Sequence, residues 1–352
     1  MNLFMIGLKE DMKTELANFP KKECILGRVA LEHKRMYRVW TEEGELLCEV
    51  SGKFSFESAS REDFPAVGDW VILSSRKEEG TGTIHAILPR FSKFSRKAAG
   101  NTAEEQIVAA NVDTVFLVNS LNDDLNVRRI ERYLLLAWES GANPVIVLTK
   151  TDLCENVASK VAEVEAVALG VPIIPVSAEL NEGLDKLKPY LEEGKTVALL
   201  GSSGVGKSTL TNSLLGEKKQ AVKEIREDDD KGRHTTTHRE LVLLPGGAVL
   251  IDTPGMRELQ LWESQEGLAG AFSDIEELGG SCRFRDCRHT DEPGCAVREA
   301  IRSGILTEER LSSYNKLQKE LAFIERKADK RAQIEEKKRW KAINKQIKTK
   351  KK

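Results

Sequence analysis

One short segment constrains the fold of this chain more than any other feature. Residues 201–208 have the sequence Gly-Ser-Ser-Gly-Val-Gly-Lys-Ser, a complete G-x-x-x-x-G-K-[ST] pattern, with an apolar run at 196–200 before it and a helical pattern after it. Glycines let backbone N–H groups surround phosphate oxygens, and the helix start adds partial positive charge. A strand, a phosphate-binding loop and a helix in this order predict an α/β sheet that binds a nucleotide at one edge.

The residues of this motif have distinct expected roles. Lys207 is expected to contact the β- and γ-phosphates, and the Ser208 hydroxyl to bind Mg²⁺. Asp252 ends a later apolar run and begins Asp-Thr-Pro-Gly, so it is expected to hold Mg²⁺ through water, while the N–H of Gly255 contacts the γ-phosphate. The predicted nucleotide-binding residues of the loop are Gly201, Ser202, Ser203, Gly204, Val205, Gly206, Lys207, Ser208 and Thr209.

A second motif precedes the phosphate loop. Another apolar run ends at 149–152, Thr-Lys-Thr-Asp. Asp152 can accept hydrogen bonds from N1–H and N2–H₂ of guanine, a donor pair that adenine lacks, and the Lys150 stem can lie along the base. Ser177 and Ala178 follow the next apolar run and can support guanine O6. The order predicts a circularly permuted GTPase domain, because this base loop ordinarily follows the phosphate loop.

The rest of the chain is predicted to add two domains. Strand patterns with regular turns at 22–95 favour a small β-barrel, and an OB type fits the length, although periodicity does not exclude an SH3-like barrel. The segment 91–106 is predicted to be a flexible linker, and 181–194 a helix that joins the original GTPase termini. The predicted domains are an RNA-binding OB-type β-barrel at 1–95, a circularly permuted α/β P-loop GTPase domain at 96–264, and a zinc-binding helical domain with a basic C-terminal helix at 265–352.

A cluster of metal-binding residues lies in the third domain. Cys282, Cys287, His289 and Cys295 offer three thiolates and one imidazole within 14 residues. Such Cys₃His sets bind one structural Zn²⁺ tetrahedrally, with no open position for water. The zinc is therefore expected to stabilise folding, on the order of 10 kcal/mol for a small metal-organised segment. The helix that follows carries an apolar stripe predicted to pack.

The charge distribution and the cysteine content indicate which partners and which cellular location to expect for this protein. Arg326 to Lys352 contain 13 Lys/Arg against 3 Asp/Glu, a net charge of +10 on a chain with a total of −2. Such a tail suggests an RNA partner, with a solvated helix end as the alternative. Six cysteines in 352 residues do not indicate a disulfide scaffold. The sequence lacks a long apolar span and a signal-peptide pattern, so we expect a cytoplasmic protein that does not bind membranes. We also expect a monomer.

These motifs and their order resemble one family. The barrel, the permuted GTPase motifs, the zinc spacing, and the segments GRHTTT at 232–237 and DTPGMRE at 252–258 are similar to the RsgA family, also called YjeQ or YloQ. The resemblance covers nearly the whole chain. It implies a cytosolic bacterial GTPase of weak intrinsic activity that binds GTP and GDP with Mg²⁺. It also implies that the small ribosomal subunit and its rRNA bind and stimulate the enzyme late in subunit maturation.

The hydrolytic step depends on the segment between the phosphate loop and Asp-Thr-Pro-Gly. Position 256 is Met, which cannot orient the attacking water as glutamine does there in many GTPases. The resemblance implies a catalytic role for His234, the histidine of GRHTTT; the alternative is a polar residue on a mobile loop. We expect Thr236 to ligate Mg²⁺, with Thr235 and Thr237 as alternatives.

Two positions depart from related GTPases. Thr149 replaces a common asparagine and has no carboxamide to connect the base loop to the phosphate loop and guanine N7, so we expect weaker nucleotide affinity. Gly204 stands where potassium-activated relatives carry asparagine, which does not support potassium dependence. An RNA-binding scaffold that senses nucleotide but barely hydrolyses it is the alternative function, and an ATPase is a third.

Overall fold

The chain divides into two compact units, Met1–Gln260 and Leu261–Lys352. No helix within the described part of the chain is long and apolar enough to cross a membrane. In a computed structural model of the chain, the described residues are 1–21, 23–33, 35–97, 105–122, 125–216, 240–252 and 265–323.

Five strands near the N-terminus form a closed barrel. Their order is β1-β2-β3-β5-β4, and β4 pairs back onto β1. The β3–β5 pair is parallel and the other pairs are antiparallel. This is the OB-type arrangement, so the structure confirms the OB prediction over the SH3-like alternative. The strands are β1 Ile25–His33, β2 Met36–Thr41, β3 Gly44–Val50, β4 Trp70–Arg76 and β5 Thr81–Ile87; helix α1 Glu10–Asn18 precedes them and α2 Gly52–Glu57 follows β3.

The barrel closes because alternate side chains of its strands point to one face. Val29 and Val39 are fully buried on neighbouring strands, and Val71 and Leu73 are fully buried two residues apart on β4. These side chains belong to one hydrophobic cluster inside the barrel. The alternation that predicted strands from the sequence therefore corresponds to the buried interior.

A second group of strands forms the nucleotide-binding sheet, in the order β10-β9-β8-β11-β13-β12. All neighbours are parallel except β12 and β13. Every residue of the central strand β8 is buried, as expected for a strand with both faces covered. The elements are β8 Thr114–Ser120, α3 Val127–Ser140, β9 Asn143–Thr149, α4 Val157–Glu165, β10 Ile173–Pro175, β11 Thr196–Leu200, α5 Lys207–Leu215, β12 Glu240–Leu243 and β13 Val249–Asp252.

The connection from β10 to β11 differs from the prediction. An α-helix was expected over 181–194, but the structure has a 3-10 helix at Leu184–Tyr190. Pro189 lies inside it and has no N–H to donate to an α-helical hydrogen bond. The connection still carries the chain past β9 and β8, so the strands of the base loops precede the phosphate-loop strand in sequence.

The predicted flexible linker also differs. Strand β6, Lys93–Lys97, pairs antiparallel with β7, Glu105–Ala110. Phe94 and Ile107 are only 2% and 3% exposed. The prediction of a flexible linker was wrong for these two strands, because the polar residues around them concealed a short alternating pattern.

The barrel and the nucleotide-binding sheet share one continuous sheet. Strand β1 pairs antiparallel with β12, where Leu31 is opposite Glu240. Arg38 on β2 reinforces this junction, because its Nη2 lies 2.6 Å from the Glu240 carboxylate. The first two predicted domains therefore form one compact body in the structure.

A buried arginine connects three segments at this junction. Arg28 is 1% exposed, and its guanidinium donates hydrogen bonds to the carbonyls of Ile6, Gly68 and Asn111. Burial lowers the pKa of Arg28 to about 10, and the nearby carboxylates of Asp113 and Asp69 act in the opposite direction. The side chain therefore remains charged at neutral pH, and it holds together the N-terminal segment, the barrel and the entry to β8.

The second unit is helical over its described residues. Arg310 is 4% exposed and donates to both carboxylate oxygens of Asp274, at 3.0 and 2.9 Å. The helices are α6 Gln265–Ala271, α7 Ser273–Gly280, α8 Ala296–Arg302 and α9 at 308–323. The predicted apolar stripe on α9 is buried at Leu311, Tyr314, Leu317 and Leu321, and Ile324 lies outside the described residues.

Candidate active site

The phosphate loop follows β11 at the carboxyl edge of the sheet, where ligands of α/β proteins bind. Gly204 and Gly206 have φ of +79° and +90°, a region that other residues rarely adopt. A Cβ atom on Gly201 would lie 2.3 Å from the Val118 carbonyl oxygen on β8. The turn therefore needs glycine at Gly201, and the left-handed conformation favours glycine at Gly204 and Gly206, as the sequence motif predicts.

Some residues of the phosphate loop are buried or hydrogen-bonded within the protein, and others are exposed. Val205 is 1% exposed and packs in the core of the sheet. Lys207 begins α5, and its Nζ donates hydrogen bonds to the carbonyls of Gly201 and Ser202, both at 2.6 Å. Its ammonium therefore lies against the first residues of the loop in which it is predicted to contact the nucleotide phosphates. The exposed members of the loop are Ser203, Gly204, Ser208 and Thr209.

The base loop lies at the end of β9. Lys150 has φ of +60°, a left-handed conformation, and a short 3-10 helix at Thr151–Leu153 follows it. Asp152 is exposed, and its Oδ1 accepts a 2.5 Å hydrogen bond from the Ser177 hydroxyl. A carboxylate held by one oxygen while the side chain remains accessible suits a group that must meet the guanine donors in a fixed direction.

The base-support loop is fixed by its own contacts. Ser177 is fully buried, and its backbone exchanges hydrogen bonds of 3.0 and 2.9 Å with Glu182. The Ser177 hydroxyl also accepts from the N–H of Leu180 at 3.2 Å. A Cβ on Gly183, which has φ of +74°, would lie 2.5 Å from the Pro175 carbonyl. These contacts orient the hydroxyl that positions Asp152.

Thr149 corrects one expectation from the sequence. Its hydroxyl donates a 2.6 Å hydrogen bond to the Val205 carbonyl in the phosphate loop, and the Asn119 carbonyl lies 3.2 Å away. The threonine is 2% exposed, and Gly206 packs near it, since a Cβ there would lie 3.5 Å from Thr149 Oγ1. The base loop and the phosphate loop are therefore connected without a carboxamide, so the inference that the missing carboxamide leaves these loops unconnected was wrong. The absent contact with guanine N7 and the weaker nucleotide affinity stay predictions.

One more contact completes the arrangement. The Ser213 hydroxyl on α5 donates to the Ala178 carbonyl at 2.9 Å. The base loop, the phosphate loop, the helix behind it and the base-support loop are thus joined in a closed series of hydrogen bonds. Sequence reasoning missed Ser213, because a serine inside a helix carries no motif signal.

Of the remaining residues predicted for the nucleotide site, the structure describes only Asp252. Asp252 ends β13, which pairs parallel with β11, so its backbone reaches the same edge of the sheet as the phosphate loop. His234, Thr236 and Gly255 lie outside the described residues, together with the alternative ligands Thr235 and Thr237.

The four predicted zinc ligands converge in the second unit. Their ligand atoms all lie within 4.8 Å of one another. The Sγ atoms of Cys282 and Cys295 are 3.9 Å apart and lie 3.6 and 3.4 Å from His289 Nδ1. A tetrahedral Zn²⁺ requires about 3.8 Å between two sulfurs and about 3.5 Å between sulfur and nitrogen. The residues, with Cys287 as the fourth ligand, therefore fit a structural zinc ion.

The helix start beside this cluster suits thiolate ligands. Cys295 precedes α8, and its Sγ accepts a hydrogen bond from the Arg298 N–H at 3.4 Å. Burial raises the pKa of the Cys282 thiol, but hydrogen bonds from the backbone N–H groups of Val297 and Ala296 and with the Cys287 and Cys295 side chains together outweigh this, so the pKa lies below its usual value. Thiolates are the form that binds zinc, so these donors favour metal binding.

A parallel sheet whose guanine-recognition loops precede its phosphate loop defines a circularly permuted P-loop GTPase. The chain belongs to the RsgA GTPase family, whose model matches residues 87–262. It is therefore a GTP hydrolase. A second family model, described as 50S ribosome-binding GTPase, matches 196–350, beginning at the strand that leads into the phosphate loop.

Individual relatives agree with this assignment. The small ribosomal subunit biogenesis GTPase RsgA 2 of Lactiplantibacillus plantarum is 52% identical over 323 residues, which are 92% of this chain and 90% of that protein. The small ribosomal subunit biogenesis GTPase RsgA 1 of Oceanobacillus iheyensis is 48% identical over 349 residues, 99% of each chain.

Two solved structures share the fold. YjeQ from Thermotoga maritima matches with a TM-score of 0.65 and 32% identity, covering 85% of this chain and 99% of that one. A structure described as YloQ, a circularly permuted GTPase, matches with a TM-score of 0.63 and 26% identity, covering 87% and 97%. The permutation predicted from the motif order is thus confirmed.

Proposed function

We propose that this chain binds the small ribosomal subunit and hydrolyses GTP to GDP and phosphate during late subunit maturation, and that the subunit stimulates hydrolysis. The observation that carries this proposal is the match to two proteins named for small ribosomal subunit biogenesis, at 52% and 48% identity over at least 90% of each of them. The family assignment favours this enzyme over the alternative of a poorly hydrolysing scaffold.

The proposed nucleotide site uses the series of hydrogen bonds that connects the loops. Asp152 and Lys150 recognise guanine, Ala178 and Ser177 support it, and Thr149 fixes the base loop on the phosphate loop that holds the phosphates. His234 positions the attacking water in this proposal. When bound, Mg²⁺ would neutralise developing phosphate charge. The proposed magnesium ligands are Ser208, Thr236 and Asp252; Gly255 contacts the γ-phosphate.

The proposed RNA contacts lie on both sides of the nucleotide site in the sequence. Arg283, Arg285 and Arg288 alternate with the zinc ligands and are exposed, so a bound zinc would fix a basic surface. The OB-type barrel is a fold that often binds oligonucleotides, and the basic tail adds phosphate affinity. The corresponding domain division, 1–95, 96–264 and 265–352, belongs to this proposal.

A ribosomal partner also bears on location and assembly. Because small subunits are assembled in the cytoplasm of bacteria, we place the chain there, without a membrane partner. We expect it to act as a monomer with one zinc ion.

The test is GTP hydrolysis by the full chain, alone and with purified small subunits. We expect a rate increase of at least about tenfold, which corresponds to about 1.4 kcal/mol of barrier. Lys207→Ala should abolish the increase, because the phosphate contact is lost. Large subunits form the matched partner control, since one family model carries a 50S description. No increase with small subunits, or an equal increase with large ones, would contradict the proposal.

A further inference from the structure

An arginine that no sequence motif marks lies against the phosphate loop. Helix α3 begins after Asn126, whose side chain accepts the N–H of Arg129 at 3.1 Å and so fixes the first turn. From this turn, Arg129 Nη1 donates a 2.8 Å hydrogen bond to the hydroxyl of Ser202. Ser202 is the second residue of the phosphate-binding motif.

The topology explains why a residue so distant in sequence reaches this loop. Strand β8 lies beside β11 and runs parallel to it, with Leu117 opposite Leu200. The carboxyl ends of both strands therefore lie at the same edge of the sheet. Helix α3 starts just beyond the end of β8, and α5 starts just beyond the phosphate loop. The first turn of α3 is thus a fixed neighbour of the nucleotide site.

Two cations meet on one residue there. Lys207 Nζ donates to the Ser202 carbonyl at 2.6 Å, while Arg129 donates to the hydroxyl of the same serine. One residue and two hydrogen bonds separate the two charges, which limits their distance to about 10 Å. Two positive groups this close together can both contact one anion that binds at the loop. The arrangement therefore favours a strongly negative ligand at the loop.

The reaction needs a cation at this location. In hydrolysis the oxygen of water forms a bond to the γ-phosphorus, and the bond from that phosphorus to the β–γ bridging oxygen breaks. The electron pair stays on GDP, the water proton is released, and negative charge develops on the bridging and γ-phosphoryl oxygens. An arginine supplied from the same chain accelerates this step in some GTPases. Here Met256 removes the usual water-orienting amide, which makes stabilisation of charge more important.

We propose that Arg129 is a catalytic arginine supplied by the chain itself. Its guanidinium exchanges the Ser202 hydroxyl for oxygens of the γ-phosphoryl group and stabilises the charge that develops during hydrolysis. The inference rests on GTP hydrolysis and not on the ribosomal role, so its test uses no ribosomes. The competing explanation is that Arg129 only attaches α3 to the phosphate loop.

The test compares full-length wild type, Arg129→Gln and Arg129→Lys. Arg76→Gln is the matched control, because Arg76 is an exposed arginine of the barrel. We measure kcat, affinity for GDP, affinity for GDP with aluminium fluoride, and thermal unfolding. Aluminium fluoride with GDP imitates the transferring phosphoryl group, and such analogues bind best where the transition state is stabilised.

We expect Arg129→Gln to lower kcat by at least about 100-fold and to abolish the extra affinity that aluminium fluoride gives to GDP. GDP affinity and the unfolding temperature should remain as in wild type, and Arg129→Lys should recover part of kcat. An unchanged kcat in Arg129→Gln would overturn the proposal. A parallel fall of kcat, GDP affinity and unfolding temperature would also overturn it, because that result defines a purely structural attachment.

Discussion

The hydrogen bond from Thr149 to the Val205 carbonyl gives the sharpest prediction about the nucleotide pocket. Both residues are buried, at 2% and 1% exposure, and their atoms are 2.6 Å apart. Thr149→Val keeps the shape of the side chain but removes the donor from a buried carbonyl. Leaving such an acceptor unsatisfied costs about 1–3 kcal/mol. The contact joins two parts of the protein itself, so urea unfolding of the nucleotide-free protein should show this loss.

The same substitution should weaken the binding of GDP more than the binding of pyrophosphate. GDP touches both loops that the hydrogen bond connects, so its affinity should fall by up to about 5–150-fold if the full 1–3 kcal/mol couples to binding. Pyrophosphate needs only the phosphate loop, and its affinity should change much less. Thr149→Ser retains the hydroxyl and is the matched control. Its GDP affinity should stay close to wild type.

Calorimetric titration with GDP and pyrophosphate measures both effects. Wild-type GDP affinity in Thr149→Val would refute the role of this hydrogen bond. A GDP affinity about tenfold or more higher in Thr149→Asn than in wild type would also refute this role, because that result would show that the threonine leaves the two loops poorly connected.

Three other predictions concern residues outside the nucleotide site. Arg28→Met removes donors from three buried carbonyls and should lower the free energy of unfolding by at least about 3 kcal/mol in urea titration. Elemental analysis should find one zinc per chain; Cys287→Ser should lose it and unfold its unit at lower temperature, while GDP binding persists. Arg285→Glu should weaken small-subunit binding in sedimentation assays, whereas Arg302→Glu, an exposed control on α8, should not.

The parts of the site that sequence predicted are those defined by local chemistry. The phosphate loop needs glycine at Gly201, where close approach excludes other residues, and its left-handed backbone favours glycine at Gly206. The zinc ligands lie within one short segment, so their spacing in the sequence is nearly sufficient to predict the metal site. Motif order alone predicted the permutation, because every loop must return to one edge of the sheet whatever the order of the strands.

The parts that sequence did not predict depend on contacts between distant segments. The hydroxyl of Thr149 bonds a main-chain carbonyl 56 residues away, and any residue could supply that carbonyl. Arg129 contacts Ser202 across 73 residues, from a helix whose charged residues look like a solvated face. The 3-10 helix at Leu184–Tyr190 is a different case, because Pro189 and its missing N–H are a local signal that the predicted α-helix did not take into account.

The central claim is that loops in permuted order form one pocket that recognises guanine. Competition between labelled GDP and unlabelled ADP on the full chain tests it most directly. We predict one binding site per chain, competition by ADP at least about 100-fold weaker than by GDP, and a much smaller difference in Asp152→Asn, because that variant replaces one carboxylate acceptor with an NH₂ donor that cannot pair with the guanine donors. Equal competition by ADP and GDP in wild type, or unchanged discrimination in Asp152→Asn, would contradict the claim.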